Sequence, residues 1–333
     1  MSQTPPRIMP KPFNAPPKGL WRATPPAIFP PIMGLMGLGL AWRNAAKVIP
    51  GAPAWIGEML LGAFSLLYLF ALLTYVAKVV RRPAVMAEDL RILPGRAGLA
   101  AGADTGFLFA AALVPYSASL AKTVLVLSLM ALTVVALLIL RSFALGPAEQ
   151  RRVTPAWHLS FVGYILAPLS AVPLGWIGLS QFIYMTTLPI ALAIWLISVL
   201  QVLKADVPAP LRPLLAIHIA PLSLFGIVSV LLGYNSAAAG FGLIAITLLV
   251  IGILGTPYLI KAGFSALWGA FTFPLAAFAN LMFAVASVSP GAFRLIGGLE
   301  LVAATLIIVY IASKIMQIWM RGKLSKATNA ATV

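Results

Sequence analysis

The sequence predicts an all-α integral membrane protein. Ten transmembrane helices pair as five helical hairpins, with five inner helices about a central path and five outer helices against lipid. Three observations predict this. Of 333 residues, 61% are hydrophobic and only 9% are charged, where a soluble domain carries roughly 25%. Apolar runs of the ~20 residues that a helix needs to cross a bilayer recur along the chain. The basic residues also sort by side of the membrane.

A water-soluble fold of this length needs a charged surface, and 23 bases with 7 acids cannot supply one. That excludes an ordinary soluble enzyme and a disordered chain. With no cysteine there is no disulfide scaffold, thiolate metal site or cysteine nucleophile. The net charge of +16 suits a nucleic-acid binder only if the bases cluster on a soluble face. They are scattered between apolar runs, so no nucleic-acid partner is expected.

Residues 1–26 hold eight prolines and four bases but no acid and no apolar run. They read as an extended cytoplasmic tail on the membrane surface, not as a signal peptide. The ten spans follow at about 27–46, 54–80, 94–115, 118–141, 157–175, 179–203, 213–233, 237–260, 266–288 and 293–318. The membrane domain is thus 27–320, followed by a cytoplasmic C-terminal tail at 321–333. The runs are unbroken and do not alternate, which argues against a β-barrel.

With an even number of spans both termini share a side. Nineteen bases fall on that side, and four (Arg43, Lys47, Lys122 and Arg294) on the other. The positive-inside rule then puts both termini in the cytoplasm, in the cell (inner) membrane. Trp21, Trp157, Trp268 and Trp319 sit near inner ends, and Trp42, Trp55 and Trp176 near outer ends, as an interfacial belt requires.

Outer links after spans 3, 5, 7 and 9 are short, which makes helical hairpins. Odd spans are rich in Gly, Pro, Ser and Ala, suited to close packing or a cavity wall. Even spans such as TVLVLSLMALTVVALLIL are richer in branched aliphatics, suited to lipid. An internal repeat strengthens this. Ala167-Pro168-Leu169-Ser170, Ala220-Pro221-Leu222-Ser223 and Phe273-Pro274-Leu275-Ala276 match, with their prolines 53 residues apart twice. Span 1 carries the related Pro30-Pro31-Ile32-Met33-Gly34, while span 3 departs, with Pro94 at its entrance. A proline inside a helix frees a carbonyl and kinks the axis. Pro31, Gly34, Pro168, Pro221 and Pro274 are therefore candidate kink or pore-lining residues.

FPPIMGLMGLGLAW (29–42), HIAPLSLFG (218–226) and WGAFTFPLAAFAN (268–280) together resemble the tellurite-resistance/dicarboxylate transporter family, over roughly residues 25–320. That family includes bacterial tellurite-resistance homologues, plant slow anion channels, yeast malate permeases and sulfite exporters. The resemblance implies five hairpins in quasi-fivefold arrangement, a homotrimer with one pore per protomer, and a phenylalanine on the ninth span that occludes the pore. Its aromatic-T-F-P segment matches Phe271-Thr272-Phe273-Pro274. The gate role falls on Phe273, with Phe271 as runner-up. The residues themselves support Phe273, whose helical neighbours Ala266, Gly269, Ala270, Ala276, Ala277 and Asn280 form a stripe of small side chains from which one ring projects. Such a stripe equally admits a packed helix.

Glu58, Asp104 and Glu300 are the acids inside spans. Asp104, mid-span on an inner helix, is a candidate proton or ion site. A bare carboxylate there would repel anions, so it is protonated, paired (Arg96 is two turns away) or turned from the path. Glu58 and Glu300 read as structural, within reach of Arg43, Lys47 or Arg294. His218 is a second candidate proton site. His158 and His218 without clustered carboxylates make no metal motif, and no HExxH, Walker loop or GxSxG occurs. Arg22, Arg91, Arg96 and Arg212 either draw anions or only fix topology.

The leading expectation is passive transport of small anions such as chloride, nitrate, sulfite, tellurite or a dicarboxylate, with no cofactor. The alternatives are a proton-coupled C4-dicarboxylate or organic-acid carrier, and an integral-membrane lipid-modifying enzyme. The enzyme would need convergent acids or histidines at a membrane face, which the sequence lacks.

Overall fold

A computed structural model describes residues 20–289 and 291–333; the expected tail over 1–19 lies outside them. The described residues are helical, with no strand among them. In order they are α1 (Phe29–Val48), α2 (Ala54–Arg81), α3 (Ala84–Leu90), α4 (Leu93–Leu113), α5 (Ala118–Leu145), α6 (Pro168–Ala171), α7 (Ile177–Lys204), α8 (Ile219–Leu231), α9 (Asn235–Leu254), α10 (Thr256–Leu259), α11 (Gly269–Val288), α12 (Ala292–Met320) and α13 (Leu324–Ala327). Two runs are irregular. A π-helical turn (His158–Val162) and a 3-10 turn (Gly163–Leu166) lead into α6. A 3-10 stretch, Ala209–His218, leads into α8.

Seven helical segments are long and apolar enough to cross a membrane. They cover the expected spans 2, 4 and 6 to 10. The other three expectations fall on α1, α4 and the broken run 158–171. The first two are diluted by Arg43 and Lys47, or by Arg96 and Asp104 with several glycines, and the third is short. At about 1.5 Å per residue, the 28 residues of α5 reach ~42 Å, beyond a ~30 Å hydrocarbon core.

Burial divides the segments into two sets. In the apolar windows of Ala209–Leu231 and Ala266–Val288, 72% of residues are buried, against at most 39% in the other five. Helices α1 and α4 are also mostly buried. The central contacts run α1 on α11, α4 on α1 and α8 on α11. Around them α2, α5, α7, α9 and α12 expose apolar side chains such as Leu66, Leu127, Leu196, Leu243 and Leu299. Such a surface suits lipid and not water.

Local chemistry sets the ends. Ser117 caps α5 by accepting from the Leu120 amide at 3.2 Å. Gly175, Gly233 and Gly291 occupy three short links with φ of +84°, +81° and +149°, which a side chain would strain. Thr24 to Ile28 are already buried, so the chain enters the bundle before residue 27. The residues after 320 fold back onto it. The Ala331 amide donates to Asp89 Oδ1 at 2.8 Å, Arg82 Nη2 donates to the Thr332 carbonyl at 2.8 Å, and the Val333 amide donates to the Arg22 carbonyl at 3.0 Å.

Candidate functional site

A cavity of about 50 Å³ lies within the buried set, room for a few water molecules. Residues from all five small-residue segments line it: Pro30 and Met33 near the start of α1, Ala97 and Ala101 of α4, and Leu159 of the π-turn. Ile217 and Ala220 follow from the fourth segment, and Ala270, Phe273 and Pro274 from α11. None of its lining side chains is polar. From the 3-10 turn Ala266–Trp268 into α11 its wall runs to Pro274, so the Phe273 ring stands at the far end of that stretch.

The sequence places the ring there because its neighbours are small. Gly37 and Ala276 lie against it. Pro274 removes the amide that would bond the Ala270 carbonyl. Thr272, one residue away, turns to the neighbouring helix, and its hydroxyl donates to the carbonyls of Pro30 at 3.1 Å and Gly269 at 2.7 Å. Gly34 packs against Thr272 so closely that a Cβ would overlap it. Two turns beyond the ring, Asn280 Nδ2 donates to the Gly37 carbonyl at 3.0 Å, and Asn44 Nδ2 donates to Asn280 Oδ1 at 2.8 Å. In the sequence Asn280 stands only as a neighbour of Phe273, and its one signal is a lone amide in an apolar stripe.

The other expected residues fall as follows. Phe271 is half-buried and meets Trp268 edge-on at 5.7 Å between ring centres; it does not line the cavity. Pro31 is buried beside Gly269, Pro168 begins α6, and Pro221 sits in the first turn of α8. None of the three lines the cavity, nor does Gly34.

Asp104 is fully buried but off the cavity wall. Its carboxylate faces Gly163, and neither oxygen has a hydrogen-bond partner among the described residues. Arg96 does not reach it; that guanidinium donates to the Leu90 and Arg91 carbonyls at 3.1 Å and lies over the Phe143 ring at 5.4 Å. The run 158–171 approaches α4 there because Gly163 offers no side chain. Glu58 is paired: Arg43 grips it through two 2.6 Å contacts and also donates to the Ala112 carbonyl at 3.2 Å. Arg212 pairs with Asp206 at 2.7 Å and stacks on Tyr258 at 3.8 Å. The Tyr258 hydroxyl first, then the Arg212 charge, hold the Asp206 carboxyl in that link below its ordinary range.

His218 is not alone. His158 Nε2 and His218 Nδ1 are 3.1 Å apart, sharing a hydrogen bond between two inner segments, with His158 tilted on Trp195. His158 Nδ1 and His218 Nε2 have no partner among the described residues. Each histidine adjoins a residue of the cavity wall, Leu159 or Ile217. Sequence distance hid the pair; both histidines precede a repeat proline at the same end of neighbouring segments. No group of three metal-ligating side chains occurs among the described residues.

Comparison with known families follows the membrane part of the chain. The family model SLAC1, described as voltage-dependent anion channel, matches residues 23–316. No curated protein matches the chain.

Proposed function

The chain belongs to the voltage-dependent anion channel family, and from that premise we propose that it conducts small anions passively through the cavity that Phe273 closes. The observation carrying this reading is the Phe273 ring in the wall of a cavity lined from five buried segments. An apolar wall has no tight anion site, so it favours flux with modest selectivity. An aromatic constriction stops flux by dewetting and releases it when the ring moves. Orientation with both termini cytoplasmic follows from the nineteen-to-four division of bases. The membrane domain is 27–320, in a quasi-fivefold arrangement of five hairpins, and the assembly is a homotrimer with one pore per protomer.

Asp104 bears on the proton-coupled alternative. A carboxylate buried without a partner is a candidate functional site in a membrane, but one that faces Gly163 would have to hand a proton to the path indirectly. Reconstituted vesicles separate the readings, because an imposed pH gradient drives organic-acid uptake only if coupling is real. Two-electrode current recording with anion substitution tests the main one. Phe273→Ala raises anion current severalfold; unchanged current from protein present at the surface sinks the gate assignment.

A further inference from the structure

A second cavity, of about 610 Å³, lies where α3 packs on the last turns of α5, within the roughly 300–1,000 Å³ of ligand sites. It is open on one side, and three features of its lining belong together. Arg91 and Arg141 both line it, and neither has an acidic partner within 4.0 Å among the described residues. Gln150 Oε1 is buried there without a donor. Met86, Leu90, Leu138 and Leu145 give it an apolar floor and rim.

The surroundings suit an anion with a tail. The nearby acids are accounted for: Glu88 is held by Arg82, Asp89 by Lys78, and Glu149 does not line the cavity. The C-terminal carbonyls of α5, which would repel an anion, are covered by Arg151, which donates to those of Phe143 at 2.7 Å and Gly146 at 3.3 Å. Leu145 on the rim is 77% exposed, continuous with the exposed Leu137 and Leu140 of α5. Because α5 outreaches the hydrocarbon core, its last turns sit at headgroup level, where basic pockets recognise anionic lipid.

We propose that this cavity binds one anionic glycerophospholipid. Its phosphate lies between Arg91 and Arg141, a headgroup hydroxyl donates to Gln150 Oε1, and its acyl chains run along Leu138, Leu145 and Met86. A free phosphate would use the arginines but leave the apolar rim and the Gln150 carbonyl unused. The inference needs the membrane embedding of the chain and is independent of the Phe273 gate.

The test is native mass spectrometry of the full chain in detergent with phosphatidylglycerol. Wild type retains the lipid, and phosphatidylcholine binds at least tenfold less. Arg91→Gln with Arg141→Gln lowers retention at least tenfold, as does Ala87→Trp, which crowds the cavity and keeps both arginines. Retention unchanged in both variants overturns the proposal. So does displacement by equimolar inorganic phosphate, which would make the site a phosphate site. A change in oligomer mass in Ala87→Trp, with lipid retention intact, would assign the cavity to a second copy and overturn the proposal as well. A photoactivatable phosphatidylglycerol on wild type needs no variant: crosslinks within 83–91 and 138–150 support the site, and crosslinks only elsewhere overturn it.

Discussion

Gly37 faces the ring of Phe273: a Cβ on Gly37 would stand 3.1 Å from Phe273 Cδ2, 3.2 Å from Cε2 and 3.0 Å from the Ala276 Cβ. These distances are tight without being prohibitive, so the ring must give by a few tenths of an ångström. Phe273 lines the cavity, and the ring is expected to shift into that space. Gly37→Ala is expected to lower anion current at least twofold in two-electrode recordings. In a Phe273→Ala background it has no ring to move and leaves current unchanged. Equal effects in both backgrounds would separate Gly37 from the gate.

Phe271 and Phe273 are two residues apart and differ in surroundings. Phe271 meets Trp268 edge-on and does not line the cavity. Phe271→Ala should lower thermal stability in detergent by about 2 kcal/mol, less than the roughly 3–5 of a fully buried ring, and leave anion current within a factor of two. A severalfold rise in current would move the gate to Phe271.

These two rings show what was legible in the sequence. The 53-residue proline repeat and the small-residue stripe mark α11 and put Phe273 on the small face, because both depend on local spacing alone. Helical phase relative to other segments is a tertiary matter. Pro30 and not Pro31 reaches the cavity, and Asp104 turns to Gly163 and not inward; both depend on how α1 and α4 are rotated in the bundle. The His158–His218 contact and the return of Ala331 to Asp89 join residues 60 and 242 apart, which no periodicity signals. Spans 1, 3 and 5 read as apolar runs in sequence, but their charges, glycines and π-turn leave them outside the set of long apolar helices.

Asp104 and Gly163 form a steric pair. A Cβ on Gly163 would overlap the Asp104 carboxylate, and both residues are buried in packed segments, where making room costs stability. Gly163→Ala is expected to cut the yield of monodisperse protein severalfold, measured by fluorescence-detected gel filtration. Asp104→Ala removes the obstructing carboxylate and should restore most of that yield in the double variant. No rescue would mean that Gly163 is required for backbone conformation and not for space.

Lys78 and Asp89 form an ion pair at 2.8 Å with both side chains fully buried. Asp89 Oδ2 also accepts from the Tyr75 hydroxyl at 3.0 Å, Oδ1 accepts from the Ala331 amide, and Lys78 Nζ donates to the Thr24 carbonyl at 3.0 Å. One pair thus anchors the entry to α1 and the returning C-terminal segment. Removing one partner leaves a buried charge, which typically costs about 3–5 kcal/mol, whereas apolar replacement of both is close to neutral. Lys78→Met should therefore lower the thermal midpoint sharply, and Lys78→Met with Asp89→Leu should regain most of it. The double variant still lacks an acceptor for the Ala331 amide. Hydrogen exchange at residues 328–333 should then accelerate at least tenfold even where global stability has recovered. Unchanged exchange there would show that the C-terminal segment is held by Arg82 and Arg22 and not by Asp89.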